Sequence, residues 1–353
     1  MNSAFWRGKT VFVTGQTGFK GSWLSLWLHR LGARVTGYAL EPPTQPNLFE
    51  VAGLARSIDS ITGDVRDLKA LRQSLLRAKP QFVFHLAAQA LVRESYADPV
   101  DTYSTNVMGT VNVLEAVRET GSVRATVIVT SDKCYENRER VTGYREDEAM
   151  GGHDPYSSSK GCAELVTAAY QRSFFSGSGT AVASARAGNV IGGGDWARDR
   201  LVPDALKAFS AGQTLLVRNP EAVRPWQHVL DPVNGYLTLA ERLWVEGSAY
   251  SGAWNFGPID GHDRPVSWIV EELARRWGDG ATWRIDEAPQ PHEAGMLKLD
   301  CSKARERLHW HPRIDLGTAL DWTVEWRRRH AAGEHVGRLT EEQISRFQDR
   351  LSR

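Results

Sequence analysis

Short runs of consecutive apolar residues alternate with longer amphipathic stretches through the first half of the chain. Lys9–Thr14 (KTVFVT) is β-branched and apolar in its middle, the composition of a parallel strand buried on both faces. A glycine-rich turn follows. Phe19, Trp23, Trp27 and Leu31 then recur every four residues, which predicts a helix. Arg34–Leu40, a strand leading into Gly63, Gln81–Leu86, Ala125–Thr130 and Thr180–Arg186 repeat the strand type. Pro99–Glu119 and Pro155–Phe175 read as helices between them, the second with Pro155 in a first turn, where no partner is missed by its absent N–H. This alternation predicts an α/β fold, a doubly wound parallel sheet of Rossmann type. After Gly188 the pattern loosens. Glycine, proline and arginine cluster from Gly192 to Pro225, Val229–Trp244 looks helical, and the tail is polar and helical. The expected organisation is a large domain over 1–187, rejoined by 229–258, and a smaller mixed α/β domain from 188–228 and 259–353.

Charge narrows the partners. Lysine plus arginine number 43 against 42 acidic residues, a net charge of +1, so no excess favours nucleic acid or an anionic membrane. No stretch has the roughly 20 apolar residues a membrane span requires, and Met1–Lys9 carries no apolar run of the signal-peptide type. Cys134, Cys162 and Cys301 are scattered and make no CxxC pair, so neither a disulfide framework nor a metal site is expected and a reduced cytoplasm is the simplest compartment. The 13 tryptophans are read mainly as core and interface filling.

Three constellations carry chemistry. Gly15, Gly18 and Gly21 space a G-x-x-G-x-x-G turn between the first strand and the first helix. Glycine lets a pyrophosphate approach the backbone, and the helix N-terminus offers free N–H groups and a partial positive charge. The second strand ends at Tyr38-Ala39-Leu40 with no acidic residue in the ribose position, Glu41 coming late, and no arginine pair waits for a 2′-phosphate, so NAD is favoured over NADP. Asp64 either meets the adenine amino group or caps the helix beginning near Leu68. The second constellation is Tyr156 and Lys160, which share a helix face at i and i+4. A neighbouring ammonium favours the phenolate, making Tyr156 a base for an alcohol that loses hydride. The third, Ser131-Asp132-Lys133, follows the strand ending in VIV, where functional groups of such sheets gather. An acid and a base beside a ketone are the equipment for eliminating water: Asp132 protonates a leaving hydroxyl, and Lys133 either removes the proton α to the ketone or serves as a charge partner for Asp132.

Together these motifs resemble the extended short-chain dehydrogenase/reductase family over nearly the whole chain, through Thr14–Gly21 (TGQTGFKG), His85–Gln89 (HLAAQ), Asn106–Thr110 (NVMGT) and Tyr156–Lys160 (YSSSK). Within that family the chain is similar to the sugar-nucleotide 4,6-dehydratases, and among these to the type acting on CDP-glucose. The similarity lies in Leu91–Tyr96 (LVRESY), Thr130–Asn137 (TSDKCYEN), Arg186–Trp196 (RAGNVIGGGDW) and Arg224–His228 (RPWQH). Lys133 stands where the dTDP-glucose type has glutamate and agrees with the CDP-glucose type.

The resemblance implies a redox-neutral cycle with bound NAD: oxidation at C4, loss of the C5 proton and the C6 hydroxyl, and hydride return to C6. It places NAD against Gly15, Thr17, Gly18, Phe19, Gly21, Asp64, Val65, Leu86, Ala87 and Ala88, with Tyr156 and Lys160. Ser131 would hold the C4 oxygen and support Tyr156. Asn189, Arg200, Arg218 and Arg224 are candidates for the substrate diphosphate and nucleotide, because arginine matches phosphate bidentately; Gln89, Arg93 and His228 complete the substrate set. His85 is read as structural. A homodimer or homotetramer is implied, built on the helices near Val100–Glu119 and Tyr156–Phe175. Rival readings are the same chemistry on GDP-mannose or dTDP-glucose, a 4-epimerase or simple dehydrogenase that would need no Asp132–Lys133 pair, and a non-catalytic dinucleotide sensor that would be expected to lose these residues.

Overall fold

The apolar runs come together as the centre of one seven-stranded sheet in the computed structural model, which describes residues 2–259, 261, 263–278, 280–288 and 294–352. Its strands are β1 (Thr10–Thr14), β2 (Arg34–Ala39), β3 (Asp59–Thr62), β4 (Phe82–His85), β5 (Ala125–Val129), β6 (Ala181–Ala187) and β7 (Gly252–Phe256). Their order is β7-β6-β5-β4-β1-β2-β3, every neighbouring pair being parallel. The order reverses between β1 and β4, and ligands of such sheets bind outside the carboxyl ends at that point.

Alternate residues of these strands face opposite sides, so the apolar runs supply two cores. Val11, Val13, Phe82, Phe84, Val127 and Val129 face one side and pack with Trp23 and Trp27 of α1 (Phe19–Arg30). Phe12, Val83, Ile128 and Val182 face the other and pack with α2 (Leu68–Ala78) and α4 (Gly109–Glu119). The predicted helix over 99–119 is interrupted: α3 (Pro99–Tyr103) passes through a π-turn, Ser104–Met108, before α4. That wider turn falls on Asn106, whose buried side chain ties three loops together, as π-bulges at functional sites often do. α5 (Pro155–Tyr170) likewise ends in a π-turn, Gln171–Phe175.

After β6 the chain leaves the sheet. Val190–Ile191 pairs with Gln227–His228, Val223–Pro225 with Asp263–Pro265, and Leu215–Val217 with Trp283–Ile285, making three two-stranded ribbons. Helix α6 (Leu201–Ser210) packs among them. Helix α7 (Leu230–Glu246) returns to lie on β5 and β6, and β7 then closes that edge.

Candidate active site

Four loops leave the carboxyl ends of β1, β4, β5 and β6, and hydrogen bonds lock them to one another. Thr14, at the end of β1, accepts the N–H groups of Leu86 and Ala87 at 3.2 Å each, so its hydroxyl proton goes to Nδ1 of His85, 2.7 Å away. Nε2 of His85 faces Thr110 at 3.3 Å. Burial and the nearby Lys160 ammonium hold this histidine down to about 3. It is a neutral strut between strand and helix, in keeping with a structural role. Asn106 donates to the Gln89 carbonyl at 2.9 Å and to Ser159 at 2.8 Å, and accepts the Gln89 N–H at 2.9 Å. The HLAAQ, NVMGT and YSSSK segments therefore meet at one buried amide.

The glycine turn has the shape a dinucleotide needs. Gly15 has φ +78°, and a Cβ there would stand 2.6 Å from the Ala87 amide nitrogen. A Cβ on Gly21 would collide with the Gly15 carbonyl, so the helix can approach the turn only with glycine at both positions. Gly18 is the N-cap of α1, no side chain caps the helix, and a Cβ on Gly18 would meet only the Gly15 oxygen at 3.4 Å. Open space thus faces the free N–H groups of the first turn, as a pyrophosphate requires. Thr17 anchors the turn by donating to the Leu40 carbonyl at 3.0 Å. Phe19 opens α1 and lines the pocket described below. Val65 lies against Gly109, and its carbonyl accepts from Asn112 at 2.9 Å. Asp64 does not cap α2; Asp67 does, accepting from Ala70. Asp64 instead accepts from Arg66, through the backbone N–H at 2.9 Å and the guanidinium at 2.6 Å, and this pairing holds its carboxyl below the usual range. Glu41 accepts the Thr62 hydroxyl at 3.0 Å.

Beside the turn lies a pocket of about 440 Å³. It gathers Ser131, Asp132, Lys133 and Tyr156 with Asn189, Arg93, Arg200, Arg218 and Arg224. Ser131 is the N-cap of a short 3-10 turn, Asp132–Cys134. Its oxygen accepts the Lys133 N–H at 3.2 Å, and its hydroxyl lies 2.9 Å from Asp132 Oδ1. Burial pushes the Tyr156 phenol up to about 12, against the opposing influence of the nearby Ser131. Lys160 Nζ lies 5.9 Å from the centroid of the Tyr156 ring, and burial, with the repulsion of Lys20, brings its ammonium down to about 8. Asp132 is 2% exposed, with Oδ2 unpartnered; burial raises its pKa while Lys133 opposes the shift. A carboxyl so placed is suited to hold a proton and give it up. Lys133 is half-buried on the pocket wall.

The arginines arrive already paired. Arg200 binds Asp195 at 2.9 Å, while Arg218 and Arg93 converge on Asp199 at 2.9 and 3.4 Å. Arg224 is buried and donates to the Val223 and Gly295 carbonyls. Two predicted substrate residues lie elsewhere. The Gln89 side chain is taken up within its own loop, donating to Leu91 and Thr102 and accepting the Leu91 N–H. His228 is 0% exposed, wedged edge-on between Trp23 and Trp322, with Nδ1 accepting from Leu230. Its aromatic surroundings place it in the core. The sequence reading passed over Asp195 and Asp199, the carboxylates that hold these arginines, and Lys20, which shares the pocket with Asp132. The available signal for Lys20 was a lone cation in the first turn of a helix, where the dipole disfavours it.

Residues 12–321 match the model of a family described as GDP-mannose 4,6 dehydratase. The chain belongs to this family. A relative, CDP-glucose 4,6-dehydratase of Salmonella typhimurium (strain LT2), is 54% identical over 99% of each chain. Among solved structures, the dTDP-glucose 4,6-dehydratase of Streptomyces venezuelae, with NAD and TYD bound, superposes with a TM-score of 0.79 at 24% identity, covering 91% of this chain and 98% of its own. The UDP-glucose 4-epimerase of Brucella ovis in complex with NAD gives 0.77 at 25% identity, covering 90% and 98%. The fold of this chain is thus found in both a dehydratase and an epimerase.

Proposed function

We propose that this protein is an NAD-dependent CDP-glucose 4,6-dehydratase, a hydro-lyase that converts CDP-glucose to CDP-4-dehydro-6-deoxy-glucose. The observation that carries the reading is the placement of Asp132, Lys133 and Tyr156 on one pocket wall, joined to 54% identity with a CDP-glucose 4,6-dehydratase across the whole chain. An epimerase or simple dehydrogenase has no use for an acid–base pair beside the tyrosine.

Gly15, Gly18 and Gly21, with Thr17, Leu86 and Ala87, would hold NAD along the turn and the β4 loop. When bound, NAD supplies a hydride acceptor for C4, a positive ring that favours the Tyr156 phenolate, and the hydride returned to C6. Tyr156 takes the C4 hydroxyl proton while Ser131 holds the same oxygen. Lys133 removes the C5 proton made acidic by the C4 ketone. Asp132 gives its proton to the departing C6 hydroxyl. Asn189, Arg200, Arg218 and Arg224 take the diphosphate and nucleotide, with Arg93 at the rim.

In this reading 1–187 with 229–258 is the NAD-binding unit, and 188–228 with 259–353 the nucleotide-sugar unit; the return of α7 and β7 to the sheet supports the division. A homodimer through α3–α5, or a tetramer of such dimers, is supported by exposed apolar side chains there: Val100 (77%), Met108, Leu165 and Phe174. Among the described residues no helix is long and apolar enough to cross a membrane, and the three cysteines are free, which supports a place in the cytoplasm.

The test is proton NMR of the protein with NAD and, separately, CDP-, dTDP-, UDP- and GDP-hexoses in deuterated water. A new C6 methyl signal with deuterium at C5, strongest for CDP-glucose, is expected. A changed C4 configuration or accumulating NADH without a methyl signal would give the chain to the epimerases or dehydrogenases.

A further inference from the structure

Lys20 is an unusual residue for its place. It is the second residue of α1, in the first turn, where the helix dipole disfavours a cation. Its side chain is half-buried and lines the same pocket as Asp132 and Arg200. Among the described residues its ammonium has no hydrogen-bond or ion-pair partner. Its charge neighbours are Arg200 and Lys160, which repel it, and Asp132 and Asp195, which attract it. Asp195 already holds Arg200 at 2.9 Å. Asp132, by contrast, has a buried Oδ2 with no partner. An ammonium without a direct partner and a carboxyl with one unpartnered oxygen therefore share one end of the pocket.

We propose that Lys20 is a positioning residue that acts through Asp132, stabilising the carboxylate that appears as Asp132 gives its proton to the C6 hydroxyl. This rests on the dehydratase reading above. In that step the C5–H pair becomes the C5–C6 double bond, the C5 proton goes to Lys133, the C6–O bond breaks, and the Asp132 proton leaves with the oxygen as water. Burial raises the proton affinity of Asp132, and the charge it acquires on giving up its proton is then met by a cation in the same pocket. Such help is stronger in the transition state than in the ground state and so raises kcat rather than binding. The other groups facing Asp132 are Lys133, Ser131, Arg224 and the Tyr156 phenol. The Ser131 hydroxyl is engaged with Asp132 Oδ1, and Arg224 donates to backbone carbonyls. Lys133 has its own proton to take, which leaves Lys20 as the uncommitted cation.

The experiment compares the intact enzyme with Lys20→Met and Lys20→Arg, using C6 methyl formation from CDP-glucose. Lys20→Met is expected to lower kcat by about tenfold to a hundredfold with KM changed by less than about twofold. The alkaline limb of its kcat profile should move up by about one pH unit, since loss of the cation raises the proton affinity of Asp132. Lys20→Arg should restore most of the rate. In an Asp132→Asn background, Lys20→Met should add almost nothing. A raised KM with kcat intact would make Lys20 a phosphate contact and overturn the proposal, as would an undiminished effect in the Asp132→Asn background. Should Lys20→Met fail to fold, Lys20→Gln serves with the same outcomes. Absence of methyl product from every sugar nucleotide with the unaltered enzyme would overturn the dehydratase reading itself, whereas a normal enzyme with a normal Lys20→Met overturns this inference alone.

Discussion

Arg186 and Glu164 form an ion pair of 2.7 Å inside the protein, each side chain 4% exposed. Arg186 also donates to the Tyr135 hydroxyl at 2.6 Å, while Glu164 accepts from Thr130 and, at 2.7 Å, from Ser184. Thr130 and Tyr135 are the residues on either side of Ser131–Cys134. One buried pair, joining β6 to α5, therefore anchors both ends of the segment that carries Ser131, Asp132 and Lys133.

Breaking that pair leaves a buried charge without its partner. Arg186→Met is expected to lower stability by about 3–5 kcal/mol, measured by urea unfolding. Replacing both partners by methionine should cost less than the sum of the single changes, because neither charge is then stranded. An Arg186→Met protein as stable as the parent would show that the pair does not anchor the loop.

Tyr156→Phe keeps the ring and removes the hydroxyl. The expectation is a fall in kcat of about a hundredfold to ten-thousandfold, the range for losing a positioned proton acceptor, with NAD affinity nearly unchanged. Stopped-flow kinetics with an equilibrium NAD titration separates the two. A large loss of NAD affinity instead would make the hydroxyl a cofactor anchor.

Gly21→Ala puts a methyl group into the Gly15 carbonyl. The turn and α1 must separate, so NAD affinity should drop by at least about tenfold and stability by about 1–3 kcal/mol. Gly18→Ala faces open space on the protein side and should leave stability nearly intact while weakening NAD. Fluorescence titration and thermal melts distinguish the pair.

Two histidines set an acid limit. Burial holds His85 and His228 down to about 3, with the Lys160 charge adding to it at His85 and the Arg346 and Arg350 charges at His228, from an ordinary value of 6.5. The folded protein keeps both neutral, while the unfolded chain takes up protons below pH 6.5. Stability is therefore full above 6.5 and falls as pH drops from 6.5 toward 3, by about 1.4 kcal/mol per unit for each histidine. His228→Gln should remove one histidine's share of that slope, measured by urea unfolding at pH 6.5, 5.5 and 4.5. An unchanged slope would mean that His228 is protonated in the fold.

The sheet was legible in the sequence because β1, β4, β5 and β6 are buried on both faces and so are apolar at most positions. β3 (DSIT) is a largely exposed edge strand with no such signature, and only its position before Gly63 marked it. The site was legible where backbone chemistry demands one residue type, as at Gly15, or where a spacing fixes a shared helix face, as for Tyr156 and Lys160. His228 misled because a histidine inside an arginine-rich motif reads as a ligand, whereas here Trp23 and Trp322 enclose it. The pairing of Arg93 and Arg218 on Asp199 depends on loop geometry that no local pattern encodes. The π-turn at Ser104–Met108 was hidden because a π-bulge keeps the apolar periodicity of the helix on both sides.

The late arrival of β7 has a consequence for how the protein is made. The chain leaves the sheet after Ala187 and rejoins it at Gly252 beside β6. During vectorial synthesis β6 therefore waits with one bare edge until the whole of 188–251 has emerged. A largely apolar edge strand is a template for pairing with other nascent chains. The ribbons that wall the sugar pocket are, on the ribosome, the stretch of time in which this protein is most exposed to aggregation.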